Sequence, residues 1–273
     1  MLYLKSYCYS THELPFIIAN LLEGYSFIDK LILYEYNYTH TGKKKDYEIE
    51  KVIHLIPDYL LTKLYYKKVN LEAYIVEAYN NEDLIHAINE PIQRSWVFND
   101  PEIIFNDDDI IIDIDIDEII YKKSYDNLLE EFKIRNIPLS IRLNQFFFKN
   151  NFLWIDNNFC SPTIYKYSMI KNNNKIINSL KIKNLRDLHN VTEKIYGCHM
   201  SWIMPVEFMI KKLHSYSHPK YRKYADANVL RNAIINKKYI FDDSVKFTIQ
   251  ELEFKDERIP IFLQHNDIFD YLN

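Results

Sequence analysis

The chain has 273 residues, of which 48% are hydrophobic and 15% aromatic, enough to fill a sizeable core and too apolar for a disordered segment. A formal net charge of −4 lacks the basic excess expected of a general nucleic-acid binder. The three cysteines, Cys8, Cys160 and Cys198, stand far apart without metal-type spacing, which suits a reducing compartment.

Only three glycines occur, Gly24, Gly42 and Gly197. Neither a Walker loop nor a Gly-x-Gly-x-x-Gly fingerprint can be written with them, so a glycine cradle for phosphates is excluded, and if phosphates bind at all a metal must do that work. Met1 to Cys8 runs straight into a strand-like pattern without the basic, apolar and small-residue regions of a secretory signal. No apolar run approaches the length of a membrane span. The expectation is a cytoplasmic protein, with room for peripheral membrane association.

In chain order, Tyr3 to Tyr9 alternates as a strand, and Ser10-Thr11-His12-Glu13 has capping-box spacing that opens an apolar helix from Glu13 to Leu22. Phe27 to Tyr36 reads as the next strand, and its exit, Asn37 to Lys45, is a polar, basic loop holding Gly42. A helix at Tyr47 to His54, a strand at Leu71 to Glu77 and a helix at Asp83 to Arg94 follow. This alternation predicts a mostly parallel α/β sheet.

Asp107 to Glu118 then crowds seven acids around a run of isoleucines. Ile110 to Ile112 reads as a fully buried strand, and alternation from Asp113 to Asp117 predicts three carboxylates on one strand face. At a same-face spacing of about 7 Å, two such charges repel by about 2 kcal/mol at an effective dielectric near 20, which Mg²⁺ or Mn²⁺ would relieve. An amphipathic strand with one wet face carries the same alternation. Location favours the metal, because a buried parallel strand delivers its carboxyl end to the ligand crevice of an α/β sheet. An EF-hand is excluded, since from Asp113 the sixth position is Glu118 and the twelfth is Ser124.

Further on, Tyr125 to Lys133 predicts a helix, and Ser140 to Phe148, Phe152 to Ile155 and Thr163 to Tyr167 predict strands. The aromatic run Gln145 to Phe148 and Phe152-Leu153-Trp154 reads as dense core rather than an acceptor cleft. The Asn/Lys-rich stretch from Lys171 to Lys183 reads as a surface excursion. A short strand at His199 to Met204, a helix at Pro205 to Ser215 and another at Asp226 to Lys237 complete a less regular last third of one domain. Two segments here suit either core or site. Gly197-Cys198-His199-Met200-Ser201-Trp202, followed by Glu207 at a helix start, sets one of the scarce glycines beside a histidine and an indole. Leu213 to Lys223 is a basic helix end carrying His214 and His218. His12, His86 and His265 lack paired spacing and read as structural or exposed.

Taken in order, four stretches resemble the family 17 glycosyltransferases, whose best known members add the bisecting β1,4-linked N-acetylglucosamine to N-glycans. They are Phe27 to Glu35 with its Thr39 to Lys43 exit, Gln93-Arg94, Asp107 to Glu118, and Gly197 to His218. The resemblance implies a GT-A fold over residues 1–273, with the nucleotide sugar on roughly 1–120 and the acceptor on 121–273. It further implies an inverting, metal-dependent transfer from UDP-N-acetylglucosamine to a carbohydrate acceptor. It assigns the divalent ion to Asp115, Asp117 and His218, donor contacts to Glu35, Lys43, Lys45, Arg94, Gly197, His199 and Trp202, and the general base to Glu207. The chain departs from the family pattern at Ile114, Ile120 and Cys198, where members commonly carry serine, proline and tryptophan. Two other functions also fit the acids: a metal-dependent nucleotidyltransferase, and a nucleotide-sugar- or glycan-binding protein without catalysis.

Overall fold

The computed structural model describes residues 1–71, 82–171, 190–215, 219–242 and 244–264. Ten strands among them form one sheet. Its centre is β1 (Leu2–Cys8), parallel on one side to β2 (Lys30–Tyr36) and on the other to β4 (Ile110–Asp113), while β3 (Leu64–Val69) extends the parallel part beyond β2. Because β1 lies inside the sheet, its alternation serves two apolar faces. Leu2, Leu4 and Cys8 pack with α1 (Leu14–Gly24), whereas Tyr3 packs on the other face with Ile32, Tyr34, Tyr36 and Val97. The predicted capping box is formed: the Glu13 carboxylate accepts from the Ser10 amide at 3.0 Å and from the Tyr9 amide at 2.5 Å, turning the chain from β1 into α1.

Beyond β4 the sheet becomes mixed. An antiparallel strand β8 (Thr163–Lys166) joins β4 to β6 (Leu139–Phe147), which pairs with β7 (Phe152–Phe159) on its other side, and β10 (Ile249–Glu251) closes that edge. β9 (Val191–Ser201) runs parallel to β6 and also pairs with the short β5 (Glu118–Ile120). Helices cover the sheet. Besides α1 these are the short α2 (Asp58–Leu61), α3 (Glu82–Ser95), α4 (Tyr125–Arg135), the short α5 (Tyr167–Ile170), α6 (Val206–Ser215) and α7 (Ala227–Ile235). As predicted, the aromatic run is core: Phe147, Phe148 and Trp154 are buried with Trp202, Phe241, Leu213 and Leu230, fastening α6 and α7 to the ends of β6 and β7.

Three expectations change. Tyr47 to His54 is two 3-10 turns, Ile49–Lys51 and Ile53–Leu55, rather than one helix. The third parallel strand is Leu64–Val69, whereas Leu71 to Glu77 falls almost wholly outside the described residues, as does Lys171 to Lys183 beyond Lys171 itself. Asp113 to Asp117 does not continue as a strand. The chain leaves the sheet at Asp113, turns through residues 114–117 and re-enters as β5 against β9. Ile114 and Ile116 are buried all the same, which preserves the alternation without a strand.

Gly197 is where β9 meets β5 at closest approach. A Cβ built there would lie 2.0 Å from the Ile119 carbonyl oxygen, a distance no packing relieves without separating the strands. Gly197→Ala is therefore expected to cost about 3 kcal/mol or more, read as a lowered urea midpoint at unchanged slope.

Candidate functional site

The carboxyl ends of β1, β2 and β4 open on one edge of the sheet, and between β1 and β4 the chain order reverses, which is where open α/β sheets bind ligands. At that edge the three aspartates separate to different partners. Asp113 is buried against the Lys5 ammonium at 2.7 Å, and Lys5 also donates to the Arg94 carbonyl at 2.6 Å. Asp115 accepts from both terminal nitrogens of Arg94, at 2.7 and 3.3 Å, while Arg94 Nε donates to Glu90 at 3.0 Å and the guanidinium sits 4.9 Å from the Tyr7 ring centre. Asp117 lies 3.7 Å from His199 Nε2 and 3.8 Å from Lys212 Nζ, both longer than a hydrogen bond. The turn that presents these acids is closed by Glu118, whose buried carboxylate accepts from the Asp115 amide at 2.7 Å.

The fold thus supplies cations where repulsion between acids was expected. Burial pushes the Asp117 carboxyl upward, yet His199 and Lys212 outweigh it and hold the group below its ordinary range. Next to it, burial drives His12 down to about 3, helped by Lys212 and opposed by Asp117, so this imidazole is neutral. Glu13 is pushed up to about 7 by burial, against the pull of the Tyr9 and Ser10 amides and the Lys212 charge.

Other residues named from the sequence fall in different places. Arg94 and His199 reach the acid pair, and His199 Nδ1 is 3.0 Å from Gln145 Oε1, a contact that orients the ring. Glu35 is fully buried and saturated by Lys45 at 3.0 Å, the Tyr66 hydroxyl at 2.6 Å and the amides of Glu48 and Ile49, an anchor for the loop after β2 rather than an open donor contact. Lys43 reaches the His214 carbonyl at 3.5 Å, linking that loop to α6. Gly197 is required by the approach of β5. Trp202 is buried beneath Lys212, with its ring centre 5.1 Å from the ammonium. Glu207 is exposed in the first turn of α6, with its carboxylate 3.4 Å from Arg231 of α7, and roughly 140° around the helix from Lys212. His218 lies outside the described residues.

The sequence reading missed Lys212, His12 and Glu13 as site residues. No local pattern marks them: the fold alone sets the Phe208 ring centre 5.1 Å from that of His12 and brings Lys212, four residues on along the same helical face, beside Asp117. Asp115 and Asp117 provide the hard oxygen ligands that Mg²⁺ or Mn²⁺ prefers, and such ions commonly take the rest of their shell from waters and substrate phosphates. Among the described residues no set of three metal-ligating side chains is assembled.

No family model and no curated protein matches the chain. Among solved structures it is similar to the galactosyltransferase LgtC in complex with donor and acceptor sugar analogues, at 8% identity and a TM-score of 0.40 over 99% of this chain and 95% of that one. It is also similar to S. aureus TarS 1-349, at 12% identity and 0.36 over 90% and 75% of the two chains. A 4-diphosphocytidyl-2C-methyl-D-erythritol synthase from Anaerococcus prevotii matches at 10% identity and 0.34 over 70% and 86%. At such scores the reading of activity rests on this chain's own residues. No helix among the described residues is long and apolar enough to cross a membrane.

Two outcomes follow from the buried charges. Lys5→Met leaves Asp113 buried without its cation and is expected to cost about 3–5 kcal/mol in urea unfolding, part of which Asp113→Asn in the same chain restores. Glu13, raised from 4.5 to about 7, favours the folded state while protonated; that contribution is complete below pH 4.5 and is lost as pH rises through 7. Glu13→Gln should remove this fall, worth roughly 1–3 kcal/mol, from a pH series of unfolding midpoints.

Proposed function

We propose that the chain is a glycosyltransferase of GT-A type, moving a sugar from a UDP-sugar, N-acetylglucosamine in the first instance, to a hydroxyl of a carbohydrate acceptor. The observation that carries this reading is the Asp115–Asp117 turn at the β1/β4 switch, where Arg94 and Lys212 stand beside the two carboxylates. Alternating fixed charges of this kind suit a diphosphate bound together with a divalent ion. The family 17 resemblance supports the reading, because the stretches that carry it include this turn, Arg94 and the β9–α6 segment.

In the proposed reaction the bond from the anomeric carbon to the diphosphate oxygen breaks and its electron pair stays on that oxygen. The acceptor oxygen bonds to the same carbon from the opposite face, and its proton passes to a base. Asp115 and Asp117 would hold the divalent ion, whose chemistry there is charge neutralisation as a Lewis acid. Arg94 orients Asp115 through a two-pronged contact and carries the nearest buried positive charge. For the base the resemblance offers Glu207, an exposed carboxylate that stands 3.4 Å from Arg231 and would have to reach the acceptor hydroxyl from that side of α6. The rival nucleotidyltransferase needs a basic or glycine-rich phosphate loop after the first strand, and Tyr9-Ser10-Thr11-His12-Glu13 is neither.

Incubation with a panel of UDP-sugars and Mn²⁺ tests this. UDP release from one member, lost with chelator and reduced by about 100-fold or more in Asp115→Asn or Asp117→Asn, is the expected result. Pyrophosphate release from a nucleoside triphosphate would establish the nucleotidyltransferase instead, and saturable UDP-sugar binding without turnover would establish a binding protein.

A further inference from the structure

Lys212 differs from the other cations at this edge. Arg94 is committed to Asp115 and Glu90, and Lys5 to Asp113 and the Arg94 carbonyl. By contrast, Lys212 Nζ stays 3.8 Å from Asp117 and donates no hydrogen bond among the described residues, although its side chain is only 28% exposed. Its ammonium is held in place by surroundings rather than by a bonded partner. The Trp202 ring lies beneath it, and Trp202 is fixed in a left-handed backbone conformation, φ 59°, that a bulky residue adopts only when packing imposes it. On the same corner His12 is 6% exposed, with an Nδ1 atom that has no partner, polar capacity that the fold itself does not use. Because that imidazole is neutral, the positive charge beside Asp117 on this corner is that of Lys212, whose side chain stays partly exposed.

We propose that Lys212 binds the diphosphate of the nucleotide-sugar donor and takes up the charge that develops on it as the sugar leaves. The inference rests on the transferase reading above and adds to it a residue that neither the acid motif nor the resemblance assigned. When the bond between the anomeric carbon and the diphosphate oxygen breaks, the electron pair remains on that oxygen and the acceptor proton goes to the base, so the diphosphate gains one negative charge. A lysine with unused donors next to Asp117 stabilises that product charge more than the bound substrate, which is the condition for accelerating the step.

The experiment titrates UDP and uridine separately into the 273-residue chain, in Mn²⁺, and compares Lys212→Met, Lys212→Arg and the exposed neighbour Lys211→Met. Wild type should bind UDP far more tightly than uridine. Lys212→Met should weaken UDP by about tenfold or more and leave uridine within about twofold, with Lys212→Arg recovering most of the loss and Lys211→Met changing neither. With a UDP-sugar, Lys212→Met should lower kcat more than it raises KM. Equal effects of Lys211→Met and Lys212→Met on UDP, or UDP affinity unchanged in Lys212→Met, would overturn the role of Lys212 while leaving the transferase reading standing. A wild-type chain that binds UDP no better than uridine would remove that reading, and this inference with it.

Discussion

The buried ammonium of Lys5 is the contact on which the site depends. It joins the last residue of β4 to the last turn of α3 by donating to Asp113 and to the Arg94 carbonyl, with both charged side chains almost completely removed from solvent. A buried pair of this kind adds little net stability over an apolar replacement, but it is costly to break on one side, so it fixes geometry more than it adds strength. Here the geometry fixed is the point where β4 ends and the position from which Arg94 projects. Once the Arg94 backbone is held there, its guanidinium can lie along Tyr7, meet Glu90 and grip Asp115. The acid run would repel itself in isolation. It is tolerated because each aspartate faces a cation from a different element: β1 for Asp113, α3 for Asp115, and α6 for Asp117.

Much of the amino-terminal architecture could be read directly, because its signals are local. The Ser10–Glu13 box, the apolar helix behind it and the helix ending near Arg94 need only spacing and propensity, and all are present. The acidic segment was located correctly and its conformation was not. Alternation of isoleucine and aspartate is the mark of a strand when one face is wet, yet here Ile114 and Ile116 enter the core from a turn, and Asp113 is as buried as its apolar neighbours. Period two therefore reported burial, not secondary structure. Leu64–Val69 escaped notice for the opposite reason: two lysines and two tyrosines at a half-exposed sheet edge blur the alternation that marks a strand.

The site was legible in part. Residues on the acid turn and Arg94 stood out by type, and the structure brings them together. Gly197 stood out by scarcity, but its cause is the backbone of β5, a contact between segments some eighty positions apart that no local pattern encodes. Lys212 was invisible for a related reason. On α6 it is one basic residue among several, and only the fold sets it opposite Asp117 and above Trp202.

Two cores position the two sides of this site. The apolar cluster around α1 and the central strands carries the acid turn, through Ile114, Ile116 and Ile119. A separate aromatic cluster of Phe147, Phe148, Trp154, Trp202 and Phe241 carries α6, and with it Lys212. β9 connects them, since Cys198 and Met200 pack with the first cluster and Trp202, just past the strand end, packs with the second. Cores are close-packed and transmit displacement instead of absorbing it, so the separation of Asp117 from Lys212 is set by how these two clusters seat against β9. The left-handed turn at Trp202 lies at that junction. A strained residue there is explained if what must be held is the direction in which the chain leaves β9, because that direction decides whether α6 presents Lys212 to the acid turn or to solvent.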